Sequence, residues 1–189
     1  AVKRACVPLV IGDISHLRRT AEKLNIPVRL GGSGEEGEFD AFVEDLANVD
    51  AGVEFGTETA ATGKASAEYI EASVELWRSG RIDCVATAPI SKRAIAMAGY
   101  EHPGHTEFFA ELTGSKRIAM SFFAEDLRVV LLSTHVSLRD AIGLVRRDPL
   151  VELIGFADRE LGRLLGKKVK LAVAGLNPHA SEGGMFGTE

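Results

Sequence analysis

With 189 residues, 46% of them hydrophobic, the chain can bury a real core as one large domain or two small lobes. A formal net charge of -5 without a clustered basic face argues against a nucleic-acid partner, because neutralising phosphates needs such a face. No stretch approaches the roughly 18 unbroken apolar residues of a membrane span, and Ala1-Val2-Lys3-Arg4-Ala5 leads into a run too short and too charged for a secretory signal, so no membrane partner and a cytoplasmic location are expected.

Cys6 to Ile11 is a continuous apolar run ended by Gly12-Asp13. Asp13 or Ser15 can cap a helix on which Ile14, Leu17, Ala21 and Leu24 follow the helical period, which reads as strand, turn and helix. His16 within that helix reads as an exposed surface residue. Pro27 to Leu30 is a short second strand candidate, and Gly31 to Gly34 with Glu35, Glu36, Glu38 and Asp40 reads as a solvated loop.

Between Gly63 and Gly80, the residues Ala67, Ile70, Ala72, Val74, Leu76 and Trp77 mark a long amphipathic helix closed by Ser79-Gly80. Ile82 to Thr87 then reads as a buried parallel strand. Cys6 and Cys84 fall in such buried runs, where a thiol behaves as a small hydrophobe, and two of them make neither a disulfide framework nor a metal cluster. Ala88-Pro89-Ile90-Ser91-Lys92 is a strand-end turn opening a short helix, which puts Thr87, Ser91 and Lys92 where a ligand would be met. Lys92 reads either as an anion contact or as an exposed lysine at a helix start.

Tyr100 to Glu107 is a concentrated polar stretch. Pro103-Gly104 makes a turn, His102 shapes it, and His105 or Thr106 stands at the N-cap of a helix from Glu107 to Leu112, where free backbone N–H groups favour a phosphate or carboxylate. Arg117 to Phe123 and Leu127 to Ser133 are two β-rich runs joined by Ala124-Glu125-Asp126, close enough for a hairpin within an otherwise mixed sheet. The second run delivers His135 at its end, and Ser137 caps a following helix that carries Asp140.

Pro149 to Leu165 reads as an amphipathic helix, and Val169 to Ala174 as a strand feeding Gly175-Leu176-Asn177-Pro178-His179-Ala180-Ser181-Glu182-Gly183-Gly184. Proline after Asn177 ends regular structure and places His179 on a loop past a strand end, while Gly183-Gly184 lets the backbone turn sharply or approach a ligand. One lone imidazole at a strand exit is more often structural than a ligand. Two, His135 and His179, leave structural and metal-binding roles equally open, with neutral imidazole suited to zinc, iron, cobalt or nickel. Asp140 could orient an imidazole from behind. Strands alternating with helices imply an α/β protein, divided near residue 100 into lobes 1–100 and 101–189, with the polar stretches lining the cleft.

Three motifs in order, Gly104-His105-Thr106-Glu107-Phe108, then Ser133-Thr134-His135 with Leu138-Arg139-Asp140, then Gly175-Leu176-Asn177-Pro178-His179 with Glu182-Gly183-Gly184, resemble the 4-hydroxythreonine-4-phosphate dehydrogenase family of pyridoxal phosphate biosynthesis. Ala88-Pro89-Ile90-Ser91-Lys92 falls in register with them. The resemblance implies a fold of the isocitrate and isopropylmalate dehydrogenase type, a homodimer with a shared active site, and NAD-dependent oxidation of a small phosphorylated hydroxy acid. By the same resemblance His105 and Thr106 bind substrate, and His135 and His179 are two of three ligands to a divalent metal such as zinc, magnesium or cobalt. Lys92, Asp140, Asn177 and Glu182 are supporting residues, and the NAD-binding residues stay unassigned.

Two departures qualify the likeness. The family's N-terminal Gly-Asp-Pro segment has no counterpart, and the sequence stops before the family's third metal histidine, so a central piece with little activity alone is expected. Met185 stands where some members carry another histidine. The expected substrate is 4-phosphohydroxythreonine; phosphorylated threonate or erythronate, or a related diol, is the alternative, and a non-catalytic phosphate-ester-binding remnant is the rival from another class. A metal-dependent phosphohydrolase is disfavoured, because the metal-binding carboxylates such enzymes add are missing.

Overall fold

The first apolar run forms strand β1 (Leu9–Gly12), and Asp13 behind it caps helix α1 (Ile14–Lys23), its carboxylate accepting the His16 N–H at 2.7 Å. Asp13 is buried and its other oxygen accepts from the Val49 N–H at 3.3 Å, so one side chain ties a helix start to a distant loop. These features come from a computed structural model that describes residues 6–102 and 104–188.

Strands β2 (Leu30–Gly32) and β3 (Ala41–Asp45) complete a three-stranded sheet of order β1-β3-β2, parallel throughout. The sheet therefore centres on β3, whose Val43 is fully buried. Asp45 at its end accepts from the Ile14 N–H at 3.0 Å, a second carboxylate on the same helix start. Arg81 clamps the sheet from one side, donating to Glu44 at 2.8 Å and 3.2 Å and to Ser33 at 2.9 Å. Its hydrogen bond, with that of Ser33, holds the Glu44 carboxyl below the usual carboxylate range.

Helix α2 (Ala60–Arg78) starts in a capping box between Thr59 and Thr62, and buries Gly63, Ala65, Ala67, Ile70, Ser73, Val74 and Leu76. Small residues in its first turns let helix α3 (Lys92–Met97) come very close. A Cβ on Gly63 would lie 1.8 Å from the Ala94 carbonyl oxygen, so only glycine fits. Helix α4 (His105–Thr113) packs further along, where Phe108 joins Ala67 and Ile70 in a core flanked by Ile90, Tyr100, Phe109 and Leu112. Arg78 at the end of α2 donates to the Leu112 carbonyl at the end of α4.

The chain divides into two compact units, Ala1–Ile118 and Ala119–Glu189. In the second, β4 (Ser121–Ala124) and β5 (Leu127–Val130) form the expected antiparallel hairpin, with Ala124 opposite Leu127 at its closed end. Helices α5 (Leu138–Leu144), capped by Ser137, and α6 (Arg147–Leu165), closed by Gly166 in the left-handed region, follow. No helix among the described residues is long and apolar enough to cross a membrane.

The α/β reading holds, and several details are corrected. Among the described residues there are two separate sheets instead of one mixed sheet. Residues 82–87, read as a buried strand, and 169–174, read as a strand, make no ladder and lie largely exposed, as does Cys84 within the first. An apolar run signals a need for burial, but a strand also needs a partner edge, and none pairs with them here. Cys6 is likewise exposed and precedes β1. Strand β2 begins at Leu30, where the proline-led run was expected to end, and runs on into the glycines read as loop, while β3 was not anticipated. His16 is half-covered: its ring lies 5.3 Å from that of Phe55, and Nδ1 is shut away from solvent without a hydrogen-bond partner.

Replacing Gly63 by Ala is expected to push α3 off α2 and lower stability by at least the roughly 1–3 kcal/mol typical of overpacking. Urea denaturation checks this, and an unchanged midpoint would show that the helices can part without cost.

Candidate functional site

Gly104, in extended conformation, is the N-cap of α4, so His105 and Thr106 occupy its first two helical positions and neither is the cap. Glycine offers no side-chain acceptor, and the first turn of a nine-residue helix is left without a side-chain cap. Backbone N–H groups and the positive end of the helix dipole therefore gather where Thr106 is exposed. Glu107 opposes an anion in part, since its carboxylate lies within 3.3 Å of the Gly104 Cβ position.

His105 lies partly buried with its ring stacked on Phe109, one turn on, at 6.2 Å. That burial lowers its pKa from the usual 6.5, so the ring is held neutral, with one nitrogen to donate and one to accept. His102 does more than shape the turn: it stacks on Phe108 at 4.1 Å with its Nδ1 3.6 Å from Glu111. Pro103, between them, lies outside the described residues.

In the second unit His135 and His179 are both exposed, and both have left-handed backbones, with φ of 57° and 54°. His135 sits in the bend after β5. His179 belongs to a tight turn, Pro178–Gly184, in which every residue from His179 to Gly183 has positive φ. Asn177 donates to the Ser181 hydroxyl at 3.0 Å, the Phe186 N–H reaches the Ser181 carbonyl at 3.2 Å, and the Phe186 ring lies 5.8 Å from that of His179. Glu182 is exposed on this turn, and Gly183 and Gly184 take the positive φ expected of them. Asp140 spends its carboxylate on the Ser137 hydroxyl at 2.6 Å, which stiffens the start of α5 behind the bend that carries His135.

Among the described residues no three His, Cys, Asp or Glu side chains converge as a metal cage. His135 and His179 are of the donor type that divalent transition metals take, each held on a constrained turn, and a catalytic zinc usually has three protein ligands.

A further polar place lies in the first unit, where the segment before α2 faces the start of α3. A cleft of about 680 Å³ is lined by Gly56, Thr57, Glu58, Thr62, Ser66, Ser91, Arg93 and Ala94. Glu58 accepts from the Ser91 hydroxyl and faces Arg93 at 3.7 Å, while Ser91 caps α3 by accepting from the Ala94 N–H at 3.0 Å. Lys92, next in the chain, is exposed at the first helical position. Ser91 and Lys92 were legible as a strand-end turn, whereas Glu58 was not, because its contact with Ser91 spans 33 residues.

Comparison with known proteins spans nearly the whole chain. The family described as pyridoxal phosphate biosynthetic protein PdxA matches residues 4–189. A D-threonate 4-phosphate dehydrogenase from Cupriavidus necator is 36% identical over 192 residues, covering 99% of this chain and 58% of that protein. A 4-hydroxythreonine-4-phosphate dehydrogenase crystal structure from Burkholderia phymatum is similar with a TM-score of 0.90 and 34% identity, over 99% of this chain and 58% of that one. A terephthalate 1,2-cis-dihydrodioldehydrogenase from Burkholderia xenovorans is more distant, with a TM-score of 0.60 and 27% identity over 95% of this chain and 56% of that one. The chain thus spans about 58% of the length of the curated relative.

The depressed His105 pKa has a consequence for stability. The unfolded chain takes up a proton at about the usual 6.5 while the folded ring resists it, so the contribution is intact above that pH and is lost as pH falls through the lowered value. A His105→Asn variant is expected to show a shallower loss of melting temperature between about pH 7 and about pH 5. The His105 ring is expected to titrate below 6.5 by NMR, and a midpoint at or above 6.5 would remove the argument.

Proposed function

The chain belongs to the PdxA family, and from that premise we propose that the protein it represents is a metal-dependent, NAD-dependent dehydrogenase of a small phosphorylated hydroxy acid. The observation that carries this is the N-terminal end of α4, where a neutral imidazole stands beside uncapped backbone donors. A phosphorylated acid presents hydroxyls and anionic oxygens together, and this start to a helix offers a partner for each. His105 and Thr106 bind the substrate, with Thr106 and the first-turn N–H groups meeting an anionic oxygen and the His105 imidazole a hydroxyl.

His135 and His179 hold a divalent metal, zinc, magnesium or cobalt, and a further ligand from outside the described residues completes the set. When bound, the metal would acidify the substrate hydroxyl and polarise the ketone that forms, while NAD accepts the hydride. The turn around His179 and the bend around His135 fix the two imidazoles, with Asn177 bracing the first through Ser181 and Asp140 bracing the second through Ser137. Glu182 on the His179 turn and Lys92 at the start of α3 are supporting residues. In a substrate whose oxidised carbon is β to the carboxylate, the ketone takes up the electron pair left as carbon dioxide departs. The two-lobed arrangement of the isocitrate and isopropylmalate dehydrogenase type, the homodimer with a shared site and the cytoplasmic location belong to the same proposal.

Threonate 4-phosphate is the preferred substrate, because the relative from Cupriavidus necator carries that name. 4-Phosphohydroxythreonine is the second reading, favoured by the name of the structural relative from Burkholderia phymatum. NADH formation by the whole gene product, followed with each compound in turn, separates them. Turnover is expected to vanish with a chelator and return with metal, and His135→Ala or His179→Ala is expected to lose roughly 100-fold or more, since even residues that only brace a metal ligand cost 10–100-fold. Undiminished turnover in chelator would overturn the metal assignment, and binding of the phosphate ester without any turnover would favour a non-catalytic role.

A further inference from the structure

We propose that the cleft between the start of α2 and the start of α3 is a second small-molecule site, for a short polyhydroxylated acid. A proton count over its lining carries the assignment. The Thr62 hydroxyl donates to the Thr59 carbonyl at 3.0 Å, and the Ser66 hydroxyl donates to the Thr62 carbonyl at 2.9 Å. The Ser91 hydroxyl gives its proton to Glu58. A hydroxyl has one proton to give and two lone pairs, so all three have spent their protons within the chain; Thr62 also accepts from the Thr59 N–H and hydroxyl and Ser91 from the Ala94 N–H, which leaves a ligand both lone pairs of Ser66 and one of Ser91. Glu58 is an acceptor too, with a second oxygen facing the guanidinium of Arg93 at 3.7 Å, longer than a hydrogen bond.

The lining therefore offers a ligand acceptors at Glu58, Ser66 and Ser91, with the Thr57 hydroxyl and, at the edge, the Arg93 guanidinium as donors. Arg93 is 80% exposed, and a guanidinium carries five N–H donors in a fork that suits a carboxylate or phosphate. A dication is disfavoured, because no three donors of the right kind meet among the described residues. A lone ammonium would face Arg93, and an apolar ligand would leave the carboxylate unsolvated. What remains is a molecule with several hydroxyl donors and one anionic end, its hydroxyls on Glu58 and the free lone pairs of Ser66 and Ser91 and its anion on Arg93. A volume of about 680 Å³ holds such a compound together with water. The site stands on residues other than His105 and Thr106 and does not depend on the oxidation proposed above.

Methyl NMR of the whole gene product, read at Thr57, Thr62 and Ala94, tests it with three probes: D-threonate, threitol with hydroxyls alone, and acetate with the carboxylate alone. D-threonate is expected to bind saturably and about tenfold more tightly than either fragment, the scale of one charge-assisted hydrogen bond. Arg93→Ala, at a mostly exposed position, is expected to erase the preference over threitol, and Glu58→Gln to weaken D-threonate by about tenfold. His105→Asn is expected to leave these shifts unchanged even if turnover is lost, which separates this site from the proposed reaction. Equal binding of acetate and D-threonate, indifference to both cleft variants, loss of the shifts in His105→Asn, or no shift at all would overturn the assignment.

Discussion

The contact on which the first unit depends is the one at Gly63, where the backbone of α2 lies directly against the Ala94 carbonyl of α3. Helices packed through side chains stand about 8–10 Å apart, and a glycine at the crossing lets them close further. That approach fixes the turn from Ala88 to Ser91 against the start of α2, which brings Ser91 onto Glu58 and opens the cleft beside them. It also sets Ile90 beside Phe108, Ala67 and Ile70, and so orients α4. Fully burying Ile70 and Phe108 contributes about 1.5–3 kcal/mol each, so a modest core is spent on holding two helix starts, those of α3 and α4, in place.

Electrostatics does similar work at the parallel sheet. Asp13 and Asp45 end neighbouring strands and both accept from the first turn of α1, which replaces the missing backbone acceptors there. Burial, with these two carboxylates and Glu68 adding to it, pushes the Tyr69 phenol up to about 12. Arg81 answers from the other side through Glu44 and Ser33. The links made by Asp45 and Arg81 run between residues 31 to 48 apart in sequence, and no local pattern announces them.

That difference between local and distant explains what could be read in advance. Asp13 before a periodic apolar stretch, the long pattern from Gly63 to Gly80, the short joint between Phe123 and Leu127, and the helix ending at Leu165 are all local signals, and each element is present. Strand β3 escaped because Ala41-Phe42-Val43 is brief and flanked by acidic residues; its burial comes from two neighbouring strands, which the sequence does not name. Residues 82–87 and 169–174 failed in the opposite direction: their apolar character was plain, but pairing is a property of the partner. At the candidate site, the turn before His105 was legible through Pro103-Gly104, and only the choice of cap was misread, since glycine caps by its extended backbone without a side-chain bond.

The turn from His179 to Gly183 is the least expected feature and says most about what His179 needs. Four residues with a Cβ, His179, Ala180, Ser181 and Glu182, hold φ between 43° and 67°, and each costs on the order of 1–2 kcal/mol relative to right-handed backbone. Such a stretch persists only where its surroundings specify it more strongly than its own preference. Asn177 and the Phe186 N–H grip Ser181 from both sides, with the Phe186 ring against His179, so the constraint is assembled within ten residues of chain. A plain connection would relax into cheaper backbone. Leaving the left-handed region would swing the His179 ring away from Phe186, so the strain and the position of the imidazole are one property of this loop, and the same sign of φ at His135 puts the second imidazole under the same kind of backbone control.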